Sequence, residues 1–104
     1  MLAKKNRLPV QEALVRHGRT VRTPAFTVKI FKGEFPYRRF GVVVGRRVAK
    51  SAVLRNRIRR RAFSAIERSL REWPVADYLI ITHPAVAMYK AKQWHEELIP
   101  SSFN

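Results

Sequence analysis

Cysteine is absent from the 104 residues. That excludes disulfides, thiolate metal centres and a cysteine nucleophile, and it suits a reducing compartment such as the cytoplasm. Acidic residues are scarce, with 7 Asp and Glu against 22 Lys and Arg, for a formal net charge of +15. Between Phe35 and Ile66 no acid occurs at all. No apolar run approaches the roughly 18 residues of a membrane span. No apolar stretch follows the basic start "MLAKKNRL", so neither a transmembrane helix nor a secretory signal is expected. Repeats and low-complexity segments are missing too, which leaves a single domain over residues 1–104.

What is present is a folded chain with an unbalanced charge. An apolar fraction of 46% separates it from disordered basic tails. A positive field of this size attracts nucleic acid or an anionic membrane. Membrane binding would need a free apolar helix face opposite the charges. Here the apolar stripe of the basic helix is required for a core, which favours nucleic acid.

The local pattern gives the order helix, strand, strand, helix, strand, helix. "RLPVQEALVRHG" reads as a short first helix with Pro9 in its first turn and Gly18 as its stop. "PAFTVKIFKG" alternates Phe26, Val28 and Ile30 against Thr27, Lys29 and Phe31, which is strand period. "RFGVVVGR" puts Phe40, Val42 and Val44 on one face, and its glycines leave room on the other. These two strands are expected to form a hairpin around the turn "GEFP". Ser51 is a plausible N-cap for a long helix to about Arg71. In it Leu54, Ile58, Ala62, Ala65, Ile66, Ser69 and Trp73 make one apolar stripe. Pro74 ends that helix. "ADYLIIT" is a strand apolar on both faces, "AVAMYKAKQWHEEL" a final helix, and Pro100 closes the fold. The fold class is therefore α+β, a two-layer sandwich.

The stretch "RNRIRRR" crowds Arg55, Arg57, Arg59, Arg60 and Arg61 into two helical turns. Like charges at this spacing destabilise the free helix by a few tenths of a kcal/mol per pair. Solubility needs a net charge of only about 2–8 in a small domain, so an external polyanion is the better explanation. Arginine dominates over lysine, which suits bidentate phosphate contacts. Asn56 and Arg60 project opposite Ile58. The Asn56 amide offers donor and acceptor to a base edge or a ribose hydroxyl, which points to RNA.

Catalytic constellations are lacking. His17, His83 and His95 stand apart and match no metal spacing, Glu96 and Glu97 point to different sides of a helix, and Asp77 and Glu34 are isolated. No Ser–His–Asp set or Gly-rich phosphate motif appears. No catalytic residue and no metal ligand is assigned to the protein. Phe26, Phe31, Phe35, Tyr37 and Phe40 cluster among basic residues, as a core or as a stacking platform for bases.

Three blocks, "KKNRL", "FGVVVGRRVAKSAVLRNRIRRRAFSAI" and "DYLIITHPA", occur in this order over roughly positions 4 to 87. Together they resemble the protein subunit of bacterial ribonuclease P, and the basic "RNRIRR" after a Gly/Val strand is the most specific of them. The resemblance implies a left-handed crossover at the basic helix, against the general rule for parallel strands. It also implies a ribonucleoprotein endonuclease, a hydrolase whose catalyst is a large RNA. Mg²⁺ held mainly by that RNA and the substrate would cut the 5′ leader from precursor tRNA, generating mature 5′ ends. Carried over, Arg46, Arg47, Lys50, Arg55, Asn56, Arg57, Arg59, Arg60 and Arg61 would meet the catalytic RNA. Lys4, Lys5, Asn6 and Arg7 would lie near RNA and substrate. The leader would run in a cleft between the first helix and the sheet. Gln11, Val15 and Lys29 stand where relatives carry aromatic rings. Phe26 and Val28 are then left as the apolar floor, with Lys29 adding charge. Partners are the catalytic RNA and precursor tRNA, with no membrane and no obligate protein partner, in the cytoplasm. The alternatives are a ribosomal-type or chaperone RNA-binding protein, a stand-alone nuclease using Glu96, Glu97, His83 or Asp77, and a DNA-binding module.

Overall fold

The most apolar strand sits where it is best buried. In a computed structural model, which describes residues 2–100, four strands form one sheet in the order β1-β2-β4-β3. They are β1 (Arg19–Arg22), β2 (Phe26–Phe31), β3 (Arg39–Val43) and β4 (Asp77–Thr82). β4 is antiparallel to β2 and parallel to β3, with Val28 and Val42 both opposite Ile80. The expected hairpin between β2 and β3 does not form. Pairing them would leave β4, apolar on both faces, at an edge, whereas the inner position covers it from both sides. The hairpin that exists joins β2 to β1, a strand the sequence pattern does not predict. Val21, opposite Val28, is the only apolar residue of β1. Its turn is closed by Thr23, whose N–H donates to the Phe26 carbonyl (2.8 Å) and whose hydroxyl accepts from the Phe26 N–H (3.1 Å).

Helix α2 (Ala52–Arg68) begins at Ser51, whose hydroxyl accepts from the N–H groups of Val53 (3.2 Å) and Leu54 (3.4 Å). Its predicted stripe is buried from Ala62 through Ala65 and Ile66 to Ser69 and Trp73, with Ile58 packed at the margin. Leu54 is 44% exposed, because the core begins one turn further along. Small residues at positions 62 and 65 let the helix lie close to the sheet. Two aromatic groups fill the ends of this layer. Phe40 stacks on Tyr78 at 5.1 Å, with Trp73 edge-on to both rings. Phe26 packs against Trp94 at 5.3 Å.

The final segment is not one helix. A 3-10 turn (Pro84–Met88) gives way to extended backbone at Tyr89 and Lys90, followed by α3 (Ala91–Glu97). The break lets the Tyr89 ring meet Phe26 and Trp94 edge-on, and its hydroxyl donates to Glu97. Burial, and then the Glu97 carboxylate, push the Tyr89 phenol up to about 12. Glu97 also accepts from the Ala25 N–H at 2.9 Å.

On the opposite face of the sheet lies a smaller core of Leu8, Ala13, Phe31 and Leu79 beneath α1 (Val10–Leu14). Gly41 admits it, as expected, since a Cβ there would stand 3.1 Å from the Leu8 carbonyl oxygen and 3.3 Å from Val10 Cγ2. Gly18 does not stop this helix, which ends at Val15 with no residue at positive φ. The chain instead passes so near β2 at Gly18 that a Cβ would collide with the Ile30 carbonyl and lie 2.6 Å from Phe31 Cδ1. At the edge of this layer the fully buried Asp77 carboxylate accepts from Arg39 Nη2 and Arg16 Nη1, each at 2.8 Å. Arg16 also donates to the Lys32 carbonyl (3.0 Å) and lies over the Phe31 ring. One carboxylate thus ties three stretches of chain together.

Candidate nucleic-acid interface

The helical period of α2 that packs Ile58 at the core margin and buries Ala62 turns Asn56, Arg57, Arg60 and Arg61 outward, where all four are exposed. Arg55 and Arg59 are half-buried. Arg55 does structural work, since its Nη1 donates to the carbonyls of Ala49 (3.1 Å) and Lys50 (2.7 Å) and closes the loop before the helix. That loop is tightened by Val48 N–H donating to the Gly45 carbonyl (3.1 Å). Arg46, Arg47, Lys50 and Arg55 then line a shallow depression at the start of α2. Arg59 Nη1 donates to Asn56 Oδ1 at 2.5 Å.

Ion pairs among the described residues involve Arg16, Arg39 and Lys92. The arginines of positions 55–61 are in none of them. Their mutual repulsion is therefore not relieved from within the described chain, and a bound polyanion would relieve it.

The N-terminal segment extends this face from far away in sequence. Residues 4–6 form a 3-10 turn, and the chain then runs beside β3. Arg7 bridges to Phe40, and the Leu8 N–H donates to the Phe40 carbonyl at 2.9 Å. This carries Arg7 to α2, where its guanidinium stands 5.3 Å above the Phe63 ring. Lys4 and Lys5 are exposed, Lys5 over Tyr37 at 5.4 Å. Asn6 departs from expectation. It is buried, and its Nδ2 donates to the Arg38 carbonyl at 2.6 Å, so this amide group fixes the segment. The partnership of Arg7 with Phe63 is not predicted by the sequence pattern. Only a long-range contact creates it, and the position of Phe63 beside the basic stripe was its one local sign.

The leader-cleft candidates need a similar correction. Phe26 and Val28 have no exposed surface and belong to the core under α2 and α3, so they cannot floor a cleft. Lys29 lies on the other face and is half-buried. The strand register places Thr20 and Arg22 of β1 opposite Lys29 and Thr27, and Ile81 opposite Thr27 from the other side. The Thr27 hydroxyl and His83 Nε2 are hydrogen-bonded at 2.7 Å. Since α1 packs on β3 and β4, the β1–β2 side of this face carries a polar and cationic surface. Of the aromatic cluster, Phe26, Phe31 and Phe40 are core. Phe35 and Tyr37 are stacked on each other at 5.2 Å, with Arg39 over the Phe35 ring.

Among the described residues no three His, Asp or Glu side chains converge as metal ligands. Glu96 sits 3.7 Å from Lys92, and Asp77 and Glu97 are held by the partners named above. No helix of the described residues is long and apolar enough to cross a membrane.

Comparison with known proteins bears on the family and the fold. The ribonuclease P protein component of Lactobacillus helveticus is 41% identical over 69 residues, covering 64% of this chain and 57% of that protein's length. The Staphylococcus aureus RNase P protein superposes with a TM-score of 0.81 at 21% identity, over 95% of this chain and 98% of that one. The Thermotoga maritima RNase P protein gives 0.79 at 22% identity, over 88% and 90%. The model of the family described as Ribonuclease P matches residues 3–101, the span that holds the sheet, the arginine-rich helix and the N-terminal segment laid against it, and the chain belongs to that family.

Proposed function

We propose that this chain is the protein component of a ribonucleoprotein ribonuclease P, binding its catalytic RNA and the 5′ leader of precursor tRNA. The observation that carries the reading is the exposed basic side of α2, whose arginines have no ion-pair partner among the described residues. Arg57, Arg60 and Arg61, with Arg59 behind them, would take RNA phosphates. Arg46, Arg47 and Lys50 continue the surface at one end, and Lys4, Lys5 and Arg7 along its side. The leader would follow the face that bears Lys29, Thr27 and Arg22, beside α1, with electrostatic contacts in place of aromatic stacking.

The described carboxylates and histidines do not fit a protein-held metal. Mg²⁺ therefore belongs in this reading to the RNA and the substrate, where it would supply the hydrolytic chemistry. The protein's own part is to neutralise phosphate charge and hold leader and RNA in register. Leader removal, in this reading, needs no catalytic side chain of the protein.

Selectivity tests the proposal against a general nucleic-acid binder. Binding of a bacterial ribonuclease P RNA, a ribosomal RNA fragment of equal length and duplex DNA should be compared at several salt concentrations, since affinities at a single salt mislead. The ribonuclease P RNA should bind at least about tenfold more tightly than either competitor at physiological salt, a threshold set well below the roughly 10³–10⁷-fold typical of specific over non-specific recognition. Equal affinities would favour the chaperone or DNA-binding alternative.

A further inference from the structure

We infer that the pocket between the N-terminal segment and α2 receives one unstacked guanine base of the bound RNA. The inference rests on the RNA-binding reading of α2 and adds to it a base-reading element. Arg7, Asn56, Arg59, Arg60, Phe63 and Ser64 line a pocket of about 500 Å³. Phosphate recognition needs cations and backbone donors but no aromatic ring. Here a half-buried phenyl ring lies beneath the Arg7 guanidinium, and single-stranded bases are held by stacking on rings and guanidinium planes.

Arg7 Cζ stands 5.3 Å from the centre of the Phe63 ring. A base stacked between them needs about 3.5 Å on each side, so the Arg7 side chain must rise by roughly 2 Å. Arg7 is exposed, and no hydrogen bond or ion pair holds its guanidinium among the described residues. Its backbone, by contrast, is fixed beside Phe40. The lid is free and its hinge is anchored.

The polar rim decides which base. Arginine has no acceptor, so the Asn56 atom that faces Arg59 at 2.5 Å is the carbonyl oxygen. The free end of Asn56 is then its amide Nδ2, a donor. Arg7, Arg59 and Arg60 also only donate, and the lining acceptors are the Ser64 hydroxyl and the Asn56 Oδ1 that already faces Arg59. Guanine presents two adjacent acceptors, O6 and N7, to such a rim. Adenine places an N6 amino donor beside N7, so one of its groups would face a rim in which donors outnumber acceptors.

The test uses the full chain in solution, with GMP, AMP and inorganic phosphate as probes followed by NMR, and then affinity for a bacterial ribonuclease P RNA. GMP should shift the Phe63 ring and Asn56 side-chain amide signals, phosphate should leave them in place, and AMP should bind at least about fivefold more weakly. Phe63→Leu and Asn56→Ala should each weaken RNA binding about tenfold while the salt dependence stays unchanged, because neither removes a cation. Asn56 is exposed, so its variant keeps the test sound should Phe63→Leu fold poorly. Equal response to GMP and AMP, or unaltered RNA affinity in both variants, would overturn the pocket. A wild-type chain that fails to bind the RNA at all would overturn the underlying reading instead.

Discussion

Replacing Asp77 by Asn should destabilise the fold more than any surface change, by about 3–5 kcal/mol, the usual cost of removing one partner from a buried ion pair. For a domain of this size that lowers Tm by at least about 12 °C. The substitution keeps the shape and removes the charge. Arg39, whose side chain is 15% exposed, then loses its counter-ion, and the new amide group turns donors toward donors. The Asp77 carboxylate titrates below the ordinary range. Burial pushes it up, but hydrogen bonds from Arg39 and then Arg16 outweigh that and bring it down. The sign of the pH effect follows. The folded value lies beneath the unfolded value of about 3.9, so the contribution of Asp77 is present above that value and is lost as pH falls through the folded one. Urea denaturation against pH should therefore show a steeper acid loss in wild type than in Asp77→Asn, below about pH 4. Parallel curves would mean that the clamp contributes little.

A double substitution, Arg57→Ala with Arg60→Ala, should have the largest effect on binding. Two charge-assisted contacts of about 1.5 kcal/mol or more each correspond to a loss of roughly 100-fold in affinity for the RNA. The slope of log affinity against log salt should become shallower by about 1.5, from 0.7–0.9 per phosphate contact. Stability should not fall, since both residues are exposed, alanine favours the helix, and repulsion between neighbours is relieved. A filter-binding salt series measures both quantities. An unchanged slope would move the RNA to another face of the protein.

The legibility of this fold in the sequence follows the range of the interactions. Helix α2 is plain because its cap, its apolar stripe and its charges are all local. The inner place of β4 is implied by its unbroken apolar run, yet alternation in β2 and β3 defines faces and not neighbours. The sheet order therefore stayed hidden, as did β1, an edge strand stabilised by pairing and a turn. For the same reason Phe26 and Val28 could be taken for a cleft floor. Alternation separates them from Lys29 but does not tell which face α2 and α3 will cover. At the interface, the arginines announced themselves by density alone. The union of Arg7 with Phe63 depends on the chain running beside β3, and Asn6, basic in its surroundings, proved to be the peg that holds that path.

The central claim is that this basic domain serves a catalytic RNA, and reconstituted cleavage tests it most directly. The purified protein is mixed with a bacterial ribonuclease P RNA and a precursor tRNA at low Mg²⁺, where phosphate repulsion leaves the RNA alone slow. The account predicts that the protein restores cleavage at the mature 5′ end and that cleavage vanishes when the RNA is omitted. Cleavage by the protein without the RNA, or tight RNA binding with no restored cleavage, would contradict it.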